Sequence, residues 1–421
     1  MPNHSRSGSA GGAVSSRGRA VLPTASGPHN PRVPGVTAEP ETPTRAEQRS
    51  RGLRLAFAGG GTGGHIQPGL HLLAHARAEP TELPVDDLLW FQTGRAVEQR
   101  AFGDFEQHAP WPVERVALRL EPEGGGAPSL AHLARHVLPA VAAARRALKQ
   151  HRSEVLLGLG GFTCLPAVLA ARTLGVPVAL LEINAVAGRA TRWLAPLAGR
   201  VLHAWGPERD GARHLFTGPP LGPEFGQATG ALTSNAADAR EALGLPGDAP
   251  LVLVLGGSQG ALSLNAFLRA HASVLTEAGV SVLHQAGPGR LGEAGGEHAG
   301  YRPVEFLDDV HAALRAATVV LCRGGASTLA EVGAAELPAW VVPYPHHPDR
   351  HQERNAEQLG AGCRIVHEPS LDEGLARELA KLAGPAGETA RAEMRQALRA
   401  AVPSDAARRI WVELEALART R

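Results

Sequence analysis

His65 stands in a glycine-rich turn, LRLAFAGGGTGGHIQPGL over residues 53–70. An imidazole with an ordinary pKa of about 6.5 is poised to accept a proton at neutral pH. It follows the hydroxyl of Thr62 and the glycines Gly59, Gly60, Gly61, Gly63 and Gly64, and the turn opens a helix marked by Ile66, Leu70 and Leu73. Unpaired N–H groups and the positive end of a helix dipole then converge on one point, which suits a phosphate or another anion. The plainer role for such a histidine is to cap or hydrogen-bond the turn.

Other chemistry-bearing residues lie further along. Asn184 closes the apolar run 176–183, where an amide at the carboxyl edge of a parallel sheet faces the ligand crevice, although a lone asparagine is also a turn former. Thr328 and Glu331 have the S/T-x-x-E spacing of a helix capping box. His346, His347, Asp349 and His351 are metal-ligand types without a defined ligand spacing, Asp308 and Asp309 are adjacent rather than a DxD, and no metal is expected.

These groups need a frame, and strands alternating with helices supply it. Apolar runs at 53–57, 85–94, 113–118, 155–159, 176–183 and 201–203 alternate with helical stretches at 94–105, 129–150, 165–174 and 187–197. A proline-interrupted segment, 218–247, follows, and the pattern restarts at 251–255, 280–285, 302–306, 317–322 and 339–343. Glycine turns close the strands ending at 57, 159, 255 and 322. The implied class is α/β, two doubly wound parallel sheets facing one another across a cleft that takes a phosphorylated ligand. Residues 1–51 read as a disordered tail, with a targeting peptide as the alternative, 52–217 as one domain, 218–248 as a linker, 249–400 as a second domain and 404–421 as a terminal helix that reaches back.

Composition narrows the chemistry. With 42 basic and 41 acidic residues in 421, a nucleic-acid partner is not expected. Cys164, Cys322 and Cys363 are widely spaced without a CxxC pair, so neither a disulfide framework nor a zinc site is indicated and a reducing cytoplasm fits. No apolar run approaches the roughly 20 residues that span a bilayer. The 129–150 helix is basic and amphipathic, compatible with anionic lipid or with ordinary packing on a sheet. Gly59, Gly61 and Gly64 satisfy GxGxxG, but the second strand runs out in Gln92, Thr93, Gly94 and Arg95 without the acidic residue that holds a nicotinamide ribose. A phosphate-loop NTPase is excluded because GxxxxGK[ST] is absent and the chain has only two lysines, Lys149 and Lys381.

GGGTGGHIQPGL, GLGGF (158–162), GGSQGALSLN, HQAGPG, FLDDV, CRGGASTLAEV and PYPHHPDRHQERNA occur in this order, and over residues 52–415 the chain resembles the MurG glycosyltransferase family. The resemblance implies the GT-B fold, two Rossmann-like domains. It implies inverting transfer of N-acetylglucosamine from UDP-N-acetylglucosamine to the muramoyl 4-hydroxyl of lipid I, giving lipid II for peptidoglycan, without a cofactor. It also implies peripheral residence on the cytoplasmic face of the plasma membrane, with the 52–217 half on the acceptor and membrane side and 249–400 binding donor. His65 matches a candidate general base. Thr62, Gly63 and Gly64 match the first glycine loop, donor-binding and beside the acceptor diphosphate as well, Asn184 a contact to the donor sugar, Ser258 a residue near the donor phosphates and Leu307 the backbone that meets uracil. Ala326, Ser327, Thr328, Leu329, Ala330 and Glu331 match the segment that wraps the nucleotide, with Glu331 on the ribose hydroxyls, and Gln352 a reader of the sugar hydroxyls; His351 stands where some members carry another glutamine.

Departures from the family pattern are Leu181 and Ile183 in LEINAVAG, Gly222 in place of an arginine, the 121–126 loop and the Cys164-Leu165 pair. A UDP-N-acetylglucosamine 2-epimerase or another enzyme of the GT-B fold, and a non-catalytic nucleotide-sugar sensor, are the alternatives.

Overall fold

The computed structural model describes residues 51–61, 63–118, 120, 130–206, 211–225, 236–245 and 248–420. Thr62, the 121–126 loop and, apart from Arg51, the expected tail lie outside these residues. The first half comprises β1 (Leu53–Ala58), α1 (Gln67–Ala78), β2 (Val85–Gln92), α2 (Ala96–His108), β3 (Val113–Ala117), α3 (Leu130–His151), β4 (Val155–Gly158), α4 (Cys164–Thr173), β5 (Val178–Glu182), α5 (Arg189–Leu194), β6 (Arg200–His203) and β7 (His214–Phe216). A short helix α6 (Ala236–Ala242) lies inside the expected linker and packs on a helix of the second half.

That half continues with β8 (Leu251–Leu255), α7 (Leu262–Glu277), β9 (Ser281–Gln285), α8 (Leu291–Ala294), β10 (Tyr301–Val304), α9 (Val310–Ala316) and β11 (Val319–Cys322). Then come α10 (Ala326–Ala334), β12 (Ala339–Val341), α11 (His351–Glu357), β13 (Cys363–Ile365), α12 (Glu373–Ala383), α13 (Glu388–Ala401) and α14 (Ala406–Ala418). The helix on which α6 packs is α9.

The first sheet has the order β3-β2-β1-β4-β5-β6-β7 and the second β10-β9-β8-β11-β12-β13, with parallel pairing throughout. Parallel strands covered on both faces read as unbroken apolar runs, and every residue of β8, LVLVL, is buried. The strand order reverses between β1 and β4 and again between β8 and β11. Those are the four strands whose carboxyl ends carry glycine turns, so each sheet opens its ligand crevice at its own switch point.

Close helix-to-sheet packing has a local cause. A Cβ on Gly69 would lie 2.5 Å from Trp90 Cη2, so the glycine lets α1 settle on the indole. Trp90 is fully buried, meets Phe57 and Phe102 edge-on at centroid distances of 5.3 and 4.8 Å, and donates from Nε1 to Gly59 O at 2.8 Å. One apolar cluster runs from Phe57 and Trp90 through Leu253 to Ile410 and Leu414 of α14. That terminal helix packs on β4, β5 and α1, and Arg200 Nε donates to Glu413 Oε2 at 2.9 Å.

Candidate functional site

The turn after β1 is held from beneath by a residue the sequence reading did not single out. Glu98, 1% exposed on the first turn of α2, accepts from Gly61 N (2.7 Å), Thr93 N (3.0 Å), Thr93 Oγ1 (2.7 Å), Gly94 N (2.6 Å) and Arg95 N (2.9 Å). The acidic residue sought at the end of the second strand thus stands three residues beyond Arg95, where it closes a capping box and fixes the turn instead of meeting a ribose.

Above that base, Gly63 and Gly64 share a single 3-10 turn with His65, and a Cβ on Gly63 would meet nothing within 4 Å, so this backbone faces open space. His65 Nδ1 lies 3.3 Å from Gly60 O. A carbonyl only accepts, so Nδ1 carries the proton and Nε2 is the basic nitrogen of the neutral ring. The imidazole packs on the turn after β4: a Cβ on Gly160 would come within 2.7 Å of its Cδ2, and Gly160 and Gly161 have φ of +107° and +78°. Burial lowers the His65 pKa below its ordinary value, opposed by the Gly60 carbonyl and Glu182.

His65, Phe162, Leu181, Ile183, Asn184 and Trp193 line a cleft of about 450 Å³. Two of the departures are therefore walls of this cleft, Leu181 2% and Ile183 9% exposed, and they make it apolar. A third, Cys164, accepts from Gly160 N at 3.1 Å and donates to Ala58 O at 3.1 Å, as a serine hydroxyl would, while burial pushes its thiol up to about 12.

Beside the cleft, Glu182 accepts from Asn184 N (3.0 Å), Asn184 Nδ2 (3.2 Å), Gly188 N (2.8 Å) and Thr191 Oγ1 (2.6 Å). Asn184 then reaches the other half: its Oδ1 accepts from Asn355 Nδ2 at 3.2 Å. Asn355, fully buried on α11, also accepts from Ala185 N at 2.8 Å and donates to Gly324 O at 3.0 Å. One amide therefore joins the end of β5 to the glycine turn after β11.

In the second half a cavity of about 610 Å³ is lined by Gly257, Arg290, Arg323, Thr328, Tyr344 and Gln352, among others. Ser258 is exposed on the turn after β8. Gln285 ties that turn to Leu307, donating to Gly257 O at 3.0 Å and accepting from Leu307 N at 3.0 Å. The Leu307 N–H is thereby engaged within the chain, its side chain buried. Arg323 is locked in the wall by Glu368 (2.6 Å), Ser263 Oγ (2.8 Å) and Val342 O (3.0 Å).

The capping-box expectation for Thr328 and Glu331 fails. The helix α10 begins at Ala326 with Gly325 as N-cap and no side-chain cap, so Thr328 is already inside the first turn. Its leading N–H groups, from Ala326, Ser327 and Thr328, are free of a side-chain cap at the cavity, while Leu329 and Ala330 are buried. Glu331 sits one turn further; burial, with Glu224 nearby, pushes its carboxyl up to about 7, and among the described residues it forms no ion pair.

Gln352 lies on the first turn of α11, which begins at His351. Its Oε1 accepts from Tyr344 N (2.9 Å) and Gly324 N (3.3 Å), which leaves Nε2 to donate. Gly222, the departure from an arginine, sits against Glu224.

Two family models match: the glycosyltransferase family 28 N-terminal domain over residues 55–203 and the family 28 C-terminal domain over 251–409. The chain is 37% identical over 387 residues, 87% of its length and 89% of the relative's, to the UDP-N-acetylglucosamine--N-acetylmuramyl-(pentapeptide) pyrophosphoryl-undecaprenol N-acetylglucosamine transferase of Sorangium cellulosum (strain So ce56). It is 36% identical over 373 residues to the transferase of the same name from Halorhodospira halophila (strain DSM 244 / SL1), covering 86% of this chain and 98% of that one. The crystal structure of Acinetobacter baumannii MurG superposes with a TM-score of 0.63 at 24% identity, over 86% of this chain and 99% of that chain, and shares the GT-B fold. With relatives of this identity across both halves, the chain belongs to the MurG family within glycosyltransferase family 28.

Proposed function

We propose that this protein is the hexosyltransferase that moves N-acetylglucosamine from UDP-N-acetylglucosamine to the muramoyl 4-hydroxyl of lipid I, with inversion, to give lipid II. The observation that carries the reading is the 37% identity to a transferase of that name over 87% of the chain, which spans both crevices.

The donor belongs in the second-half cavity. Its diphosphate meets the uncapped N-terminus of α10 and the turn after β8, where N–H groups and dipole favour an anion. Glu331 accepts the two ribose hydroxyls, Gln352 donates from Nε2 to a sugar hydroxyl, and Leu307 lies at the uracil. Ser258 flanks the phosphates, and Asn184 places the sugar at the join with the first half.

The acceptor lies in the apolar cleft, its diphosphate near Thr62, Gly63 and Gly64. His65 Nε2 takes the proton from the 4-hydroxyl, that oxygen forms the bond to the anomeric carbon, and the bond from that carbon to the UDP oxygen breaks with its electron pair leaving on UDP. Backbone N–H groups and helix ends compensate the leaving charge, each worth about 0.3–2 kcal/mol.

Labelled donor incubated with a soluble lipid I analogue in excess chelator is expected to give disaccharide and UDP at full rate. Donor turnover without acceptor would instead indicate the epimerase. Donor binding with no product would indicate a sensor, and a rate abolished by chelator would overturn the metal-free step.

Glu331→Gln is expected to weaken donor binding by about 10- to 100-fold, the scale of hydrogen bonds to a charged group. Because burial pushes the Glu331 carboxyl up to about 7, raising the pH from 6 to 8 should ionise it and tighten donor binding. Calorimetry at both pH values checks this, and equal affinity in the variant removes the ribose role.

Residence on the inner membrane surface is supported by Leu138 (75% exposed) on α3 and Trp193 (67% exposed) on α5, flanked by Arg135, Arg145, Arg146, Lys149, Arg189 and Arg192. Trp193 also lines the acceptor cleft, so the apolar wall runs from His65 to the exposed surface. Among the described residues no helix is long and apolar enough to cross a membrane. The protein is expected to sediment with phosphatidylglycerol vesicles at low salt and to lose most of that binding as the double variant Leu138→Ala, Trp193→Ala; sedimentation unaffected by the double change argues against this face.

A further inference from the structure

The loop from β12 to α11 contains four residues of metal-ligand type, and the fold separates them. His346 lines the donor cavity and meets Tyr344 edge-on, ring centroids 5.2 Å apart. His347, Asp349 and His351 converge on one another instead. The His347 and His351 rings stand 4.4 Å apart, and Asp349 Oδ1 accepts from His351 Nδ1 at 2.8 Å and from His351 N at 3.3 Å. One ligand atom from each of the three lies within 4.8 Å of the others.

Backbone conformation produces this convergence. Arg350, between the aspartate and the second histidine, has φ +47°, the left-handed region that non-glycine residues seldom adopt. Its N–H donates to His347 O at 3.0 Å and its Nε to Glu353 Oε2 at 2.7 Å, which holds the turn closed at the start of α11. Side chains on either side of Arg350 are thus brought together rather than splayed as in an extended chain. Ligands about 2.0–2.2 Å from a tetrahedral ion lie about 3.4 Å from one another, so small side-chain rotations reach that geometry.

We propose that His347, Asp349 and His351 form a three-ligand site for a borderline divalent transition-metal ion of the Zn²⁺ class, with water completing the shell. Two imidazole nitrogens and one carboxylate oxygen favour such an ion over Mg²⁺ or Ca²⁺, which take oxygen ligands. The ion replaces the proton held between Asp349 and His351. It plays no part in glycosyl transfer, and it pins the segment 344–352, whose far end carries Gln352.

The test uses the full chain without an affinity tag, titrated with Co²⁺ and followed by its visible absorption, and with Zn²⁺ by calorimetry. One ion per chain is expected, bound at least tenfold more weakly by His347→Ala and by Asp349→Asn, each checked for native circular dichroism. Zn²⁺ should slow amide exchange across 344–352 in the wild type and not in His347→Ala. Equal binding by wild type and His347→Ala, or exchange in this segment that ignores Zn²⁺, overturns the proposal.

Discussion

Replacing His65 by alanine is expected to lower turnover by about 10²- to 10⁴-fold, the usual contribution of a positioned general base, while donor affinity stays close to wild type. The expectation rests on geometry. The ring is clamped between the turns after β1 and β4, its Nδ1 lies against Gly60 O, and the side chain lines the cleft. Burial lowers its pKa, so the basic form dominates at neutral pH. Activity should fall as pH drops through the folded pKa, placing the acid limb below the ordinary value of about 6.5. Single-turnover rates with saturating donor and acceptor measure the chemical step. A variant that keeps wild-type rates returns His65 to a purely structural role.

Glu98→Ala should cost about 3–5 kcal/mol of stability, because it strands buried donors in the turns after β1 and β2. The carboxylate collects four backbone N–H groups and one hydroxyl. Glu98→Gln retains the shape but turns an NH₂ toward backbone N–H groups that only donate, so it should recover little of the loss. Urea unfolding of the three proteins measures this, and a cost below about 1 kcal/mol for the alanine variant would mean that water replaces the carboxylate. The turn itself should loosen in both variants, with a lower rate even where the fold survives.

Much of this architecture was legible because parallel strands covered on both faces must be apolar throughout. Stretches such as LVLVL stand out in the sequence, and the glycine turns behind them mark the switch points. The edge strand β13, CRI, and β7, HLF, escaped for the same reason: three residues at a sheet edge carry too little pattern. Glu98 was missed because an acidic residue inside an amphipathic stretch reads as solvated surface, although the R-x-x-E spacing after the strand was a usable signal. Asn355 lay within a quoted motif, but only the folded chain brings residue 355 to residue 184. The spacing of Thr328 and Glu331 fits a cap that the start of α10 at Ala326 pre-empts. The histidine loop looked unordered as text because its geometry depends on one left-handed residue.

The bridge at Asn355 has a further consequence. It is built from amides and backbone groups alone, with no ionised partner among Asn184, Ala185 and Gly324. Hydrogen bonds between neutral groups are scarcely screened by salt, whereas a lipid surface attracts arginines only within about a Debye length, about 8 Å at physiological ionic strength. On the proposed membrane face, ionic strength therefore acts on the two ends of the cleft unequally: it would govern how often the mouth meets a bilayer and leave the amide bridge itself scarcely changed. High salt would then keep the protein from anionic vesicles and still leave Asn355 joined to Asn184 across the two halves.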